Sequence, residues 1–416
     1  MSIFTITGGV PLEGTVSVHG AKNSALPILA AAVLCPGVTV IHNCPPLSDV
    51  TASVAILEHL GAQVARQGDT LTVDATTLST CTIPPRLMRE MRSSVIFLGA
   101  ILGRLGQAEM SHPGGCELGP RPIDLHLSAL RTLGVEVEEN AQTLRCTASR
   151  LAGGEIVLPF PSVGATENAI LAAVAARGIT TIRNAAREPE IEDLQNFLVS
   201  LGAGIRGGGT SVIVVEGGRP LHGGEYTVMG DRIAAATYLT AVAAAGGELE
   251  LTGADPGHLT AVTAALAQAG CRVYSTGQSI HLRRTTPLRS VHQIRTAPYP
   301  GFPTDAQAPM MACLCTARGT SIIEETIFSS RYRHVEALRK MGANIQVDGQ
   351  TAILTGVEKL HGEQVTARDL RGGAALVTAA LGAEGVTKLE GLTHLDRGYF
   401  ALENNLRALG ARITRD

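Results

Sequence analysis

One short pattern returns six times along this chain, and that recurrence constrains the fold more than any other feature. A helix-like run ends in Leu-Gly-Ala or a near variant and passes into an alternating, strand-like run. The copies read EHLGAQV, RTLGVEV, VSLGAGI, AQAGCRV, RKMGANI and RALGARI. Their central glycines are Gly61, Gly134, Gly202, Gly270, Gly342 and Gly410, at spacings of 73, 68, 68, 72 and 68 residues. A repeat of that size is one structural unit used again, larger than the usual solenoid units. Upstream of each copy lies a second signature, an Ala/Leu-rich run that reaches a glycine and then a strand-like segment. LPILAAAVLCPGVTVI and TYLTAVAAAGGELEL are examples. Glycine just past the last helical turn is the common left-handed cap. The Ala-rich runs are apolar nearly all round, so these six helices belong in an interior. The six before the Leu-Gly-Ala signature carry Glu, Arg and Gln and read as outer, amphipathic helices.

The expected fold class is therefore α/β, with six βαβαββ-type units around buried helices. At 416 residues the chain is too long for one core. Six units divide into two domains of three, with the link expected between Gly223 and Asp231. Hydrophobic content of 45% with 17% charge describes a globular protein. The net charge of −3, the 3% aromatic content and the absence of Trp argue against nucleic-acid binding. MSIFTITGGVPLEG lacks the basic start and apolar run of a signal peptide, and the longest apolar helical stretches fall short of a bilayer. Eight cysteines show no paired framework and the histidines no ligand spacing, so neither disulfides nor a zinc site is expected. Cys313 and Cys315 read as buried thiols. The expected location is the cytoplasm, and the expected state a monomer.

The residues before each buried helix are the informative polar ones: Lys22-Asn23-Ser24, Arg92-Ser93-Ser94, Ser162-Val163-Gly164, Asp231-Arg232, Thr304-Asp305 and Asp369-Leu370-Arg371. Capping accounts for Ser24, Ser94, Ser162 and Thr304. It does not account for Lys22, Arg92, Arg232 and Arg371, because a cation at a helix N-terminus opposes the dipole. Those cations make sense if an anion sits between them and the helix ends. The expectation is a polyanionic small molecule held where several such starts from both halves meet. Pro309 lies deep in its run, so that helix should bend or start late. One further stretch, SHPGGCELGPRPIDLH from Ser111 to His126, is a glycine- and proline-rich loop around Cys116, with Arg121 close enough to favour the thiolate. The P-loop, dinucleotide, GxSxG and HExxH patterns are absent.

Several longer motifs are specific together: GAKNSALP (20–27), MRSS (91–94), PGGCELGPRPIDLH (113–126), FPSVGATEN (160–168), NAAREPEIEDL (184–194), YPGFPTDAQ (299–307), ETIFSSRYRHV (325–335), DLRGGAALV (369–377) and HLDRGY (394–399). On these the chain resembles the UDP-N-acetylglucosamine enolpyruvyl transferase family over essentially its whole length. The resemblance implies an inside-out α/β barrel of two domains, 22–229 and 1–21 with 230–416. It implies transfer of the enolpyruvyl group of phosphoenolpyruvate to the 3′-hydroxyl of UDP-N-acetylglucosamine, with release of phosphate and without metal or organic cofactor, opening peptidoglycan synthesis. Lys22 and Asn23 would hold phosphoenolpyruvate, with Arg121 and Arg397 on its phosphate and carboxylate. Arg92 would contact the nucleotide sugar. Arg121, Pro122, Ile123, Asp124 and Leu125, with Ser162, Val163 and Gly164, would cradle uridine and diphosphate. Asp305 and the backbone of Ile327 would hold the sugar. Cys116 would be the general acid on a mobile loop and Asp369 a carboxylate near the reacting centre. Arg331 and Arg371 would stabilise phosphate or the closed form. Three positions depart from the family pattern: Ala234 in place of Glu, Phe160 in place of Lys, and Glu117 beside the cysteine.

Overall fold

The computed structural model describes residues 2–112, 122–140 and 142–416. Two compact units emerge among them. One takes its residues from 1–19 and 230–416, the other from the described residues between 20 and 229.

The unit is the same throughout. In its plainest copy, strand Glu155–Val157 leads into helix Val163–Ala175, strand Gly178–Arg183, helix Pro189–Ser200, and strands Gly204–Arg206 and Val212–Gly217. The first strand pairs in parallel with Gly178–Arg183, which pairs antiparallel with Val212–Gly217, and Gly204–Arg206 closes the other edge. Among the described residues there are six four-stranded sheets of this pattern, none closed into a barrel. Each unit of the chain is thus a mixed α/β body of three βαβαββ repeats, as the six-fold pattern implies.

The six interior helices are Lys22–Ala32, Phe97–Leu105, Val163–Ala175, Arg232–Ala245, Thr304–Leu314 and Leu370–Gly382. In Arg232–Ala245 every residue but Ala245 is buried. Small residues allow the close packing. A Cβ on Gly99 would stand 2.4 Å from the carbonyl oxygen of Asn168 on the neighbouring interior helix. The six repeat glycines all end their outer helices with positive φ, between 90° and 106°, which is where glycine has no steric cost.

Two details refine the sequence reading. The second interior run opens with a 3₁₀ turn, Arg92–Ile96, before its α-helix begins at Phe97. Of the two outcomes expected for the helix containing Pro309, a bend or a late start, the late start is not seen: the helix begins at Thr304 with the proline inside. Pro27 sits at the same depth in Lys22–Ala32.

The repeats are circularly joined. Gly224–Thr227 returns to pair with Val38–His42 of the first sheet of its unit. The N-terminal strand Phe4–Thr7 fills a central place between Val386–Glu390 and Arg412–Arg415, and Leu12–Ser17 edges the sheet of Gly247–Thr252. No helix among the described residues is long and apolar enough to cross a membrane. The described cysteines are free, and Cys313 and Cys315 are buried.

Candidate active site

In the unit of residues 20–229, three segment starts gather. Helix Asp124–Thr132 begins just after Pro122 and Ile123, so Asp124 and Leu125 form its first turn. Its His126 is buried, and Asn168 of the third interior helix donates to Nδ1 at 2.8 Å. Burial, more than the opposing charge of Asp124, pushes the His126 pKa down to about 4, and Arg92 adds to that. Asn168 also donates to the Val95 carbonyl at 3.0 Å and accepts from the Gly99 N–H at 2.6 Å. Ser162 caps the same helix through the Ala165 N–H at 3.4 Å. Gly164 lies so near His126 that a Cβ there would meet the ring at 2.9 Å. Thus the starts of helices Asp124–Thr132 and Val163–Ala175 approach each other at His126 and Gly164, with the charge of Arg92 acting on the same histidine, and helix N-termini suit phosphate groups. Cys116 and Arg121 lie outside the described residues.

Lys22 and Asn23 open the first interior helix of this unit, and the Lys22 ammonium is 3.3 Å from Asp49. Ser24 does not cap. Its hydroxyl donates to the buried carboxylate of Asp193. Ser94 likewise donates to the Met91 carbonyl rather than capping.

In the other unit, Asp305 stands in the first turn of its interior helix. Arg331 reaches one carboxylate oxygen at 2.5 Å and Arg371 the other at 2.9 Å, and both guanidinium side chains are buried. Burial works against the charge on Arg371, but Asp305, Tyr399 and Asp231 outweigh it and raise its pKa. Arg371 also donates to the Tyr399 hydroxyl at 3.1 Å, which lies 2.8 Å from the Thr237 hydroxyl. So the three interior helix starts of this unit are linked. Arg397 is half-buried, two residues before Tyr399. Asp369 caps its helix, accepting from Arg371 N–H at 3.1 Å and Gly372 N–H at 2.9 Å. Asp231 does the same for Ile233 and Ala234. Ala234 is fully buried at that start, which explains how a small apolar residue serves there.

Thr304 is not a cap either. Its hydroxyl donates to Glu325 at 2.9 Å. Glu325, fully buried, also accepts from Ile327 N–H at 2.8 Å and Phe328 N–H at 3.2 Å. The carbonyl of Ile327 is then the backbone group that could face a ligand.

Sequence reasoning did not single out Asp49, Asn168, Glu325 or Tyr399 as site partners. Asn168, Glu325 and Tyr399 fall inside quoted motifs, but partners 21 to 162 residues away along the chain leave no local signal. Among the described residues no three His, Cys, Asp or Glu side chains gather as a metal site.

The comparisons identify the family and the fold. Residues 6–406 match the family model described as EPSP synthase (3-phosphoshikimate 1-carboxyvinyltransferase). The chain is 52% identical over 415 residues to UDP-N-acetylglucosamine 1-carboxyvinyltransferase 2 of Caldanaerobacter subterraneus subsp. tengcongensis, covering 100% of both chains. It is 46% identical to UDP-N-acetylglucosamine 1-carboxyvinyltransferase of Acinetobacter baylyi, again over 100% of both. Among solved structures, the enolpyruvyl transferase NikO from Streptomyces tendae superposes with a TM-score of 0.90 at 28% identity, covering 100% of this chain and 98% of that one. EPSP synthase from Acinetobacter baumannii shares the fold at TM-score 0.77 and 18% identity, with 100% of each chain covered. The chain belongs to the EPSP synthase family of enolpyruvyl transferases and, within it, to the UDP-N-acetylglucosamine 1-carboxyvinyltransferases.

Proposed function

We propose that this chain moves the enolpyruvyl group of phosphoenolpyruvate onto the 3′-hydroxyl of UDP-N-acetylglucosamine and releases phosphate. The observation that carries the reading is the full-length likeness to relatives named for that transfer. The described geometry supports the residue roles. The bed formed by Pro122, Ile123, Asp124, Leu125, Ser162, Val163 and Gly164, with Arg92 beside it, holds the nucleotide. Lys22, Asn23, Arg121 and Arg397 hold phosphoenolpyruvate. Asp305, gripped by Arg331 and Arg371, faces the sugar together with the Ile327 carbonyl.

The reaction is addition followed by elimination. The sugar hydroxyl oxygen bonds to the central carbon of phosphoenolpyruvate while the methylene carbon takes a proton from Cys116. Asp305 receives the hydroxyl proton. Lys22 and the arginines offset charge gathering on phosphate and carboxylate. A proton then leaves the transient methyl group, the double bond reforms and phosphate departs. Arg331 and Arg371 orient Asp305 and serve in addition to stabilise phosphate or the closed form. Asp369 stabilises its helix start next to that pair. We propose further that the two units are the domains 22–229 and 1–21 with 230–416, and that the protein works as a cytoplasmic monomer.

Proton NMR of the product tests the reading. Two vinyl protons on an enol ether at the sugar 3′ oxygen are expected, with deuterium entering that methylene when the reaction runs in heavy water. A product without the vinyl ether refutes the transfer, and a vinyl ether without deuterium refutes the transient methyl group.

A further inference from the structure

Lys22 opens an interior helix, where a cation opposes the helix dipole. Its side chain is nonetheless only 12% exposed, and the Asp49 carboxylate 3.3 Å away is 3% exposed. Asp49 sits in the first turn of the outer helix Ser48–Leu60, a position that favours an acid and fixes its backbone. Two other buried acids of this unit, Asp193 and Glu167, are placed differently. Asp193 accepts from Ser24, from Tyr226 at 2.6 Å and from the Met229 N–H at 3.2 Å. The Glu167 pKa is raised well above the usual carboxylate range, first by burial and then by Glu190 and Glu188. Asp49 is an acid whose oxygen meets the Lys22 ammonium at ion-pair distance.

A lysine is a compact charge on a flexible four-carbon stem, without the planar fork that orients arginine. To act on one phosphate oxygen it needs a second anchor. We infer that Asp49 is a positioning residue for the reaction, holding the Lys22 ammonium where the phosphate of phosphoenolpyruvate arrives. This rests on the reading of Lys22 given above. Asp49 touches no substrate; its effect passes through Lys22.

A double-mutant cycle in steady-state kinetics tests it. Asp49→Asn is expected to raise the KM for phosphoenolpyruvate about tenfold, the scale of a lost hydrogen bond to a charged group. The KM for UDP-N-acetylglucosamine should stay within about twofold. In the Lys22→Ala background the same change should have no further effect on the KM for phosphoenolpyruvate. Asp49→Glu, which keeps the charge, should fall between Asp49→Asn and the parent, and it carries the cycle if Asp49→Asn does not fold. A normal KM in the Asp49 variants, or an effect of equal size with and without Lys22, overturns the inference. A normal KM in Lys22→Ala alone would instead remove the reading of Lys22 on which it rests.

Discussion

At the scale of single residues, the chemistry rests on charges held in place by charges. Lys22→Ala should weaken phosphoenolpyruvate binding by ~1.5–3 kcal/mol, the usual size of a hydrogen bond to a charged group. Equilibrium binding checks this, and an unchanged dissociation constant refutes the phosphate role. Arg371→Met removes one of the two guanidiniums on Asp305. Breaking a buried pair costs up to about 3–5 kcal/mol, but Asp305 is partly exposed and Arg331 remains, so a loss near 2 kcal/mol is expected in urea unfolding. Glu167 offers a pH test. Its folded pKa is raised, so its favourable contribution is present below its unfolded value and is lost as pH rises through the folded one. Glu167→Gln should therefore raise stability relative to the parent more at pH 8 than at pH 5; equal gains at both would contradict it. At this scale the sequence was legible for Ser162, which caps its helix as its position implies. It was not legible for Ser24 and Thr304, because their hydroxyls turn to Asp193 and Glu325, which fold over them from distant segments.

At the scale of elements, the repeat was readable because it is carried by backbone geometry. A glycine that must take positive φ leaves a mark that substitution elsewhere does not erase. Gly270 has φ 98° and nothing within 4 Å of an added Cβ, so Gly270→Ala should cost ~1–2 kcal/mol from the backbone alone. At Gly61 an added Cβ would lie 2.7 Å from the Ser79 backbone N, so Gly61→Ala should cost more. Thermal unfolding of the two variants checks the order. The 3₁₀ opening at Arg92 and the start at Thr304 were not readable, since neither is marked by a residue that requires it. Pro27 and Pro309 are both buried inside their helices.

At the scale of the whole molecule, the sequence assigned the first 21 residues to the second half only through family likeness. The reason is physical: strand pairing between Phe4–Thr7 and Val386–Glu390 joins segments almost 400 residues apart, and nothing local announces it. Because Phe4–Thr7 is a central strand, removing residues 1–17 should unfold the unit of residues 230–416. Hydrogen exchange should then show lost protection in strands such as Val386–Glu390, while strands such as Gly178–Arg183 stay protected. The choice of acceptor substrate also belongs to this scale, since the sister enzymes that act on 3-phosphoshikimate share the repeat. The most direct measurement is phosphate release from phosphoenolpyruvate with each acceptor offered separately. The account predicts sustained release with UDP-N-acetylglucosamine, none with shikimate 3-phosphate, and loss of the former in Cys116→Ala. Release with shikimate 3-phosphate alone, or full activity in Cys116→Ala, would contradict it.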